Sequence, residues 1–343
     1  MTGSEIAEAE QVAANLVMAN LSGHDSHGVG MVPRYVDAVL EGGLSPNTGV
    51  KVVLDTGPLL NLDGQRGYGQ ITGVQAMEMG IERAKKHGVC TVALSRSHHL
   101  GRIGHFAEMA VAQGLVSMHF VNVLSRPVVA PFGGGDGRFG TNPCCIGVPM
   151  GNRPPFVLDF ATSRVAQGKM RVAHNRGERV EAGLLLDEKG SPTTDPGVVV
   201  VAQSDGLFGA LRTFGLHKGY GLAVVCELLG GALTGGHTMH QLGDGRRQVL
   251  NGMLSILIDP ARLGTAANLA AEADELRLEV HDADRSDEEL VGRHRRRPRS
   301  PHHAEARIRQ RNARTRRRVT KLRLDREAAL DEVRSVCGHH RLA

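Results

Sequence analysis

The sequence predicts an α/β protein, and two observations carry that prediction. Between residues 74 and 123 an amphipathic helix, an apolar strand, a second helix and a second strand follow one another, with glycines at the helix ends. Hydrophobic residues make up 41% of the 343-residue chain, yet Trp is absent and aromatics are only 3%. The core therefore rests on Leu, Val, Ile, Ala and Met, and the length suits two or three lobes.

Taken in order, residues 4–21 read as an amphipathic helix, because Ile6, Ala9, Ala13, Leu16 and Val17 share one face. Gly23-His24-Asp25-Ser26-His27-Gly28 breaks it, and residues 31–40 restart a helix that carries Arg34 and Tyr35. Gly42-Gly43 closes that helix, and Pro46-Asn47 marks a turn. Residues 51–54 and 59–62 are short strands. Val74, Met77, Ile81 and Ala84 mark a helix face that Gly88 stops. The strand 89–94 leads into Ser97-His98-His99-Leu100-Gly101-Arg102-Ile103-Gly104, and a helix to Gln113 leads out. A strand over 115–123 follows.

Residues 131–143 form a glycine-rich loop that matches neither GxGxxG nor GxxxxGK[ST]. Residues 156–162 are a strand with Asp159 near its end, and 184–187 a short strand. His217-Lys218-Gly219-Tyr220-Gly221 opens an apolar helix closed by Gly230-Gly231. It reads either as an anion site at a helix N-terminus or as a buried helix preceded by a solvated lysine. A late strand ends at Asp259-Pro260.

Composition removes several function classes. No apolar run approaches the ~20 residues of a membrane span, and the acidic N-terminus lacks a signal peptide's pattern. Cys90, Cys144, Cys145, Cys226 and Cys337 form neither CxxC pairs nor a disulfide framework, so a reducing cytoplasm is expected. No metal-ligand spacing is present. The net charge of +5 misleads. Fourteen Lys and Arg against one Glu lie between Arg293 and Arg323, a net +13, which leaves −8 for the rest. Such a run usually means a solvated segment. Without stacking aromatics or a recognition motif, nucleic acid is not the expected partner.

A base and a fixed cation at the end of a strand suit proton-coupled chemistry on a small acid. Set among the neighbouring motifs, that turn carries a resemblance. Gly23-His24-Asp25-Ser26-His27-Gly28, Ser97-His98-His99, Phe139-Gly140-Thr141-Asn142-Pro143, Asp159-Phe160-Ala161-Thr162, Pro192-Thr193-Thr194-Asp195-Pro196, His217-Lys218-Gly219-Tyr220-Gly221 and Ile258-Asp259-Pro260 occur in this order. Together they make the chain resemble the malate/L-lactate dehydrogenase-like oxidoreductases from about residue 10 to 263. That group also holds ureidoglycolate and sulfolactate dehydrogenases, and the 23–35 and 97–104 segments are most similar to its broad 2-hydroxy-acid branch.

The resemblance implies a mixed-sheet malate/L-sulfolactate dehydrogenase-like α/β fold that is not a Rossmann fold, with a helical lobe from both termini, and a homodimer. It divides the chain into an N-terminal helical lobe (1–45), a central α/β part (46–115), an NAD(P)-binding part (116–260) and a C-terminal helical lobe (261–343). It implies NAD, or NADP, and a small 2-hydroxy or 2-keto acid. His99 matches the proton acceptor, and Ser26 and His27 the pair that meets substrate and nicotinamide. Gly101, Arg102, Ile103, Leu158, Asp159, Phe160, Ala161, His217, Lys218 and Asn251 match cofactor contacts. Many relatives place an arginine where Met31 stands, so Arg34 or Arg102 is expected to clamp the carboxylate. Ser26 as a mere N-cap and Asp159 as a mere strand end are the plainer readings.

Two departures from the family pattern stand out. The N-terminus begins late, so the family's first helix is expected to be missing. The family's Pro-Gly-Glu motif is absent, and the Arg-, His- and Pro-rich stretch 277–323 stands in its place before a terminal helix near 324–336. That stretch reads as an out-of-frame translation of a GC-rich gene or as a genuine basic tail. An inactive or misfolded homologue, and a basic-tailed binding protein that has lost catalysis, are the rival functions. Imine reduction and ureidoglycolate oxidation are the alternatives within the family.

Overall fold

The computed structural model describes residues 3–151, 153–240 and 248–283, with side chains to residue 276. The 284–343 part of the tail, including the Arg-rich run and the expected terminal helix, lies outside the described residues. Residues up to Ala270 form one compact unit; a second begins at Ala271.

The elements are α1 (Ile6–Leu21), α2 (Val32–Leu40), β1 (Lys51–Asp55), β2 (Leu59–Asp63), α3 (Gly69–His87), β3 (Val89–His98), α4 (Gly104–Val111), β4 (Val116–Leu124), β5 (Cys144–Val148), β6 (Phe156–Phe160), α5 (Gln167–Asn175), β7 (Leu185–Leu186), β8 (Pro192–Thr193), β9 (Ala210–Leu211), α6 (His217–Cys226), β10 (Leu250–Ile258) and α7 (Ala266–Ala283). Seven strands form one sheet in the order β1-β2-β3-β10-β4-β5-β6. Only β2 and β3 pair in parallel, so the sheet is mixed, as expected.

The β3-α4-β4 alternation is real, but β3 and β4 are not neighbours. The late strand β10 slots between them, antiparallel to both. Its residues Leu250 to Leu257 are almost all buried, which fits a central strand covered on both faces.

Helices α3 and α4 cover the main core of Leu62, Met77, Val92, Leu94, Phe106, Val121 and Leu257. At Gly88 (φ +88°) α3 ends in a left-handed cap, whose N–H donates to Ala84 O at 2.7 Å. A second cluster joins α1 and α2 through Leu16, Met31, Tyr35 and Tyr68. A third, around Val129, Met170, Leu185, Val199 and Leu211, supports the small sheet β8-β7-β9.

Candidate active site

Strand β3 runs through His98, four residues beyond the apolar stretch that marks it in the sequence. His98 is buried within the strand, and His99 is the first residue of the turn. Asn251, paired with Ser97 on β10, holds that turn. Its Oδ1 accepts from the Leu100 N–H at 2.8 Å, while its Nδ2 donates to Asn122 O at 2.9 Å. Gly69 lets α3 approach from the other side, since a Cβ there would lie 2.3 Å from His99 O.

The 23–28 motif folds into a short 3-10 turn over Asp25–His27. Asn20 clamps it, donating to Asp25 Oδ1 at 2.5 Å and accepting from the Val29 N–H at 2.9 Å. The turn brings His27 parallel to His99, ring centroids 5.4 Å apart and planes within 6°. Ser26 does not cap a helix here: its Oγ lies 2.9 Å from His27 Nδ1.

Two residues outside the expected set complete the cluster. Tyr35 OH lies 2.8 Å from His99 Nδ1, and Gln70 Nε2 donates to Tyr35 OH at 2.8 Å. Tyr35 is 3% exposed and Gln70 fully buried, so neither has water to turn to. The only sequence signal was chemical: a tyrosine inside an apolar helix face needs a partner for its hydroxyl.

Electrostatics keep the imidazoles neutral. Burial, assisted by His24 and Arg102, lowers His27 to about 4. Burial lowers His98 to about 3. His99 falls well below its ordinary value through burial, then through His27, His98 and Arg34. An uncharged imidazole at neutral pH keeps a lone pair for a proton.

The two expected carboxylate clamps differ. Arg102 is 7% exposed and spends its fork on Glu108, at 2.8 and 2.5 Å. Arg34, in the first turn of α2, has no carboxylate partner among the described residues and lies close enough to act on His99.

The expected cofactor residues fall in three places. Gly101 (φ +76°), Arg102 and Ile103 form the turn between β3 and α4, with the Ile103 side chain packed into the core. Asp159, on edge strand β6 with Leu158 and Phe160, accepts the Gly104 N–H at 2.7 Å through Oδ2. Burial raises the pKa of Asp159, and Ala161 follows it, half-buried.

His217 and Lys218 are exposed at the start of α6. The N–H groups of Lys218, Gly219 and Tyr220 already donate to Gly215, Phe214 and Leu216. Those three N–H groups are therefore spent, which leaves the exposed side chains as the main donors there. A cleft of about 260 Å³ lies nearby, between Ala130–Gly134 and Arg212–Leu216. Cys90 and Cys144 are buried with thiols pushed up to about 11, and Cys226 to about 12, as suits core residues rather than nucleophiles.

The family model for malate/L-lactate dehydrogenase matches residues 1–314. The chain belongs to the malate/L-lactate dehydrogenase family. It is 47% identical to hydroxycarboxylate dehydrogenase B of Escherichia coli K12 over 288 residues, 82% of this chain and 79% of that protein. Among solved structures it resembles sulfolactate dehydrogenase from Methanocaldococcus jannaschii (TM-score 0.73, 32% identity, 83% of this chain and 81% of that one). It also resembles Δ1-piperideine-2-carboxylate reductase from Pseudomonas syringae (TM-score 0.75, 30% identity, 83% and 84%).

Dehydrogenases of this family generally use a nicotinamide cofactor, and the residues present fit one. Asp159 Oδ1 has no hydrogen bond among the described residues and can accept from a hydroxyl or amide. The close 101–104 turn admits backbone contact, and His217 and Lys218 offer exposed donors for phosphate or ribose. No described helix is long and apolar enough to cross a membrane.

Proposed function

We propose that the protein is an NAD(P)-dependent oxidoreductase that interconverts 2-hydroxy and 2-keto acids, working as a homodimer. The observation that supports this most is the neutral His27–His99 pair with Tyr35 on His99 Nδ1. Oxidation removes a proton from the C2 hydroxyl and a hydride from C2. The nicotinamide, when bound, supplies the hydride acceptor.

His99 takes the proton through Nε2. That requires its own proton on Nδ1, donated to Tyr35, with Tyr35 donating onward to Gln70. A half-turn of the Gln70 amide gives this polarity and also a partner to Gln70 Oε1, a buried acceptor with none in the present arrangement. His27, steadied by Ser26, orients the substrate. Arg34 holds the C1 carboxylate as a bidentate fork. Gly101–Ile103, Leu158–Ala161, His217 and Lys218 receive the cofactor, with Asn251 acting through the turn it holds.

A panel of 2-hydroxy acids with NAD or NADP tests the reading. His99→Ala should cut kcat by roughly 10²- to 10⁴-fold, while NADH binding, followed by fluorescence, changes little. Undiminished turnover would remove His99 from the base role. The likeness to the piperideine carboxylate reductase supports a second reading, cyclic imine reduction, so the panel includes a cyclic imino acid.

A further inference from the structure

Six described residues other than glycine have a left-handed backbone, and three of them meet in one patch: Gln65 (φ +51°), Arg66 (φ +62°) and Arg96 (φ +50°). Such conformations are costly for a residue with a Cβ and persist where the surroundings force them. The patch lies directly before the histidine turn. Met253 of β10 pairs with Leu94 and Asn251 with Ser97, so β3 carries one extra residue there, a β-bulge that includes Arg96. The bulge changes which side chains face α3. Cys90, Val92 and Leu94 enter the main core in step, and an unbroken strand would send Arg96 and His98 after them. Instead Ser97 takes that face, its Oγ 2.9 Å from Thr72 Oγ1 of α3.

The 63–67 loop splints the bulge. The Gly64 and Arg66 N–H groups donate to Ser95 O and Arg96 O, each at 2.8 Å, and the His98 N–H donates to Gly67 O at 2.9 Å. Asp63 ties the two left-handed segments together. Its Oδ1 accepts the Gln65 N–H and the Arg96 Nε–H, each at 2.9 Å, while its Oδ2 accepts from Arg96 Nη2. The loop also reaches the helix that carries Tyr35. Arg66 O accepts the Ser45 N–H at 3.0 Å, just beyond α2, and the Tyr68 ring stands edge-on to Tyr35 with centroids 5.7 Å apart. The Arg96 side chain is 52% exposed, and an ion pair so placed adds little stability. What the pair fixes is the backbone between His98 and Tyr35.

We infer that Arg96 and Asp63 are positioning residues for His99: their ion pair holds the left-handed bulge that sets the His99 ring against the Tyr35 hydroxyl. This rests on the reading of His99 as the base. Both residues act through the bulge and not on the substrate. Without the clamp the turn wanders, and a small displacement of a base costs rate more than binding.

Arg96→Gly removes the clamp and leaves a residue that adopts the left-handed conformation without penalty, so the urea midpoint should stay near the native one. On the best 2-hydroxy acid, kcat should fall by about 10- to 100-fold, the range for a slightly misplaced catalytic group, with KM for NAD unchanged. Arg96→Lys keeps the charge and should recover part of the loss. Asp63→Asn should fall likewise, and the double variant no further, since both changes remove one contact. NMR of the imidazole nitrogens gives a readout that needs no turnover. The His99 signals, assigned by their loss in His99→Ala, should shift in Arg96→Gly and return toward native values in Arg96→Lys. A kcat that Arg96→Gly leaves near native overturns the inference, as do undisturbed His99 signals. So does a loss of kcat matched by a fall in the urea midpoint and not recovered by lysine, which would make the pair a folding element alone. A raised KM for NAD at constant kcat overturns it too, because Arg96 would then serve the cofactor. If the native protein oxidises no 2-hydroxy acid yet its His99 signals respond to Arg96→Gly, the positioning stands and the dehydrogenase reading falls.

Discussion

His99 is governed by its neighbours on both sides. Tyr35 OH bonds its Nδ1 at 2.8 Å, and burial, with Arg34 adding to it, depresses the imidazole's affinity for a proton. Two outcomes follow from these contacts. Tyr35→Phe removes the hydroxyl without emptying the space, so kcat should fall by about 10- to 100-fold with little change in KM, the range for losing one buried hydrogen bond. Steady-state kinetics on the best 2-hydroxy acid would test this, and an equal loss in KM would instead give Tyr35 a substrate-binding role. Removing a neighbouring cation has the opposite electrostatic sign to adding one. Arg34→Gln favours protonated His99, so the acid limb of kcat/KM, expected below pH 6.5 in the native protein, should move upward as KM rises. A limb that stays in place while KM rises would leave Arg34 a clamp with no hold on the base.

At the scale of elements, the histidine turn depends on distant strands, and the Phe139–Pro143 motif turns out to be a bracket. Asn142 Oδ1 accepts the Val123 N–H at 3.0 Å, and its Nδ2 donates to Glu227 Oε2 at 2.7 Å. Glu227 is 6% exposed, in the π-helical turn Glu227–Ala232 that continues α6, and its other oxygen accepts the Met239 N–H at 2.5 Å. Burial already raises the Glu227 pKa. Asn142→Ala strips one donor from a buried carboxylate and leaves the Val123 N–H open, so it should cost about 2–4 kcal/mol of stability. Urea unfolding measures it, and a loss below 1 kcal/mol would mean that solvent replaces the amide.

Local pattern made α1, α2, α3 and most sheet strands legible, because their apolar periods lie within one segment. The place of β10 between β3 and β4 was not legible, since pairings such as Leu250 with Leu124 and Ile258 with Val89 are too distant in the chain to leave a local period. Helix α5 went unread for a related reason: in Gln167–Asn175 only Met170 and Ala173 are buried, too few for a clear face. Motif resemblance supplied Ser26, His27 and His99. Tyr35 and Gln70 needed the fold, because their hydrogen bonds span 64 and 35 residues.

Over the whole molecule, buried imidazoles set the response to acid. His98 and His119 are at most 2% exposed, and burial lowers each from 6.5 to about 3. His119 sits in the middle of β4 with Nδ1 2.8 Å from Ser255 Oγ, and its Nε2 is buried without a partner. Their folded pKa values lie below the unfolded ones, so the unfolded chain binds more protons between pH 6.5 and 3. The stability these groups carry is complete above pH 6.5 and is lost as pH falls through that window, by about 1.4 kcal/mol per pH unit for each. Asp159 and Glu227, whose pKa values are raised, take up protons in the folded state and offset part of the loss toward the carboxylate range. Urea midpoints should therefore hold steady from pH 8 to 7 and fall between pH 6 and 5. His119→Gln keeps a polar partner for Ser255 and removes one titrating group, so its slope should be shallower by about one proton. An unchanged slope would mean that His119 gains access to water before it is protonated, and that the acid response belongs to the histidines around the site.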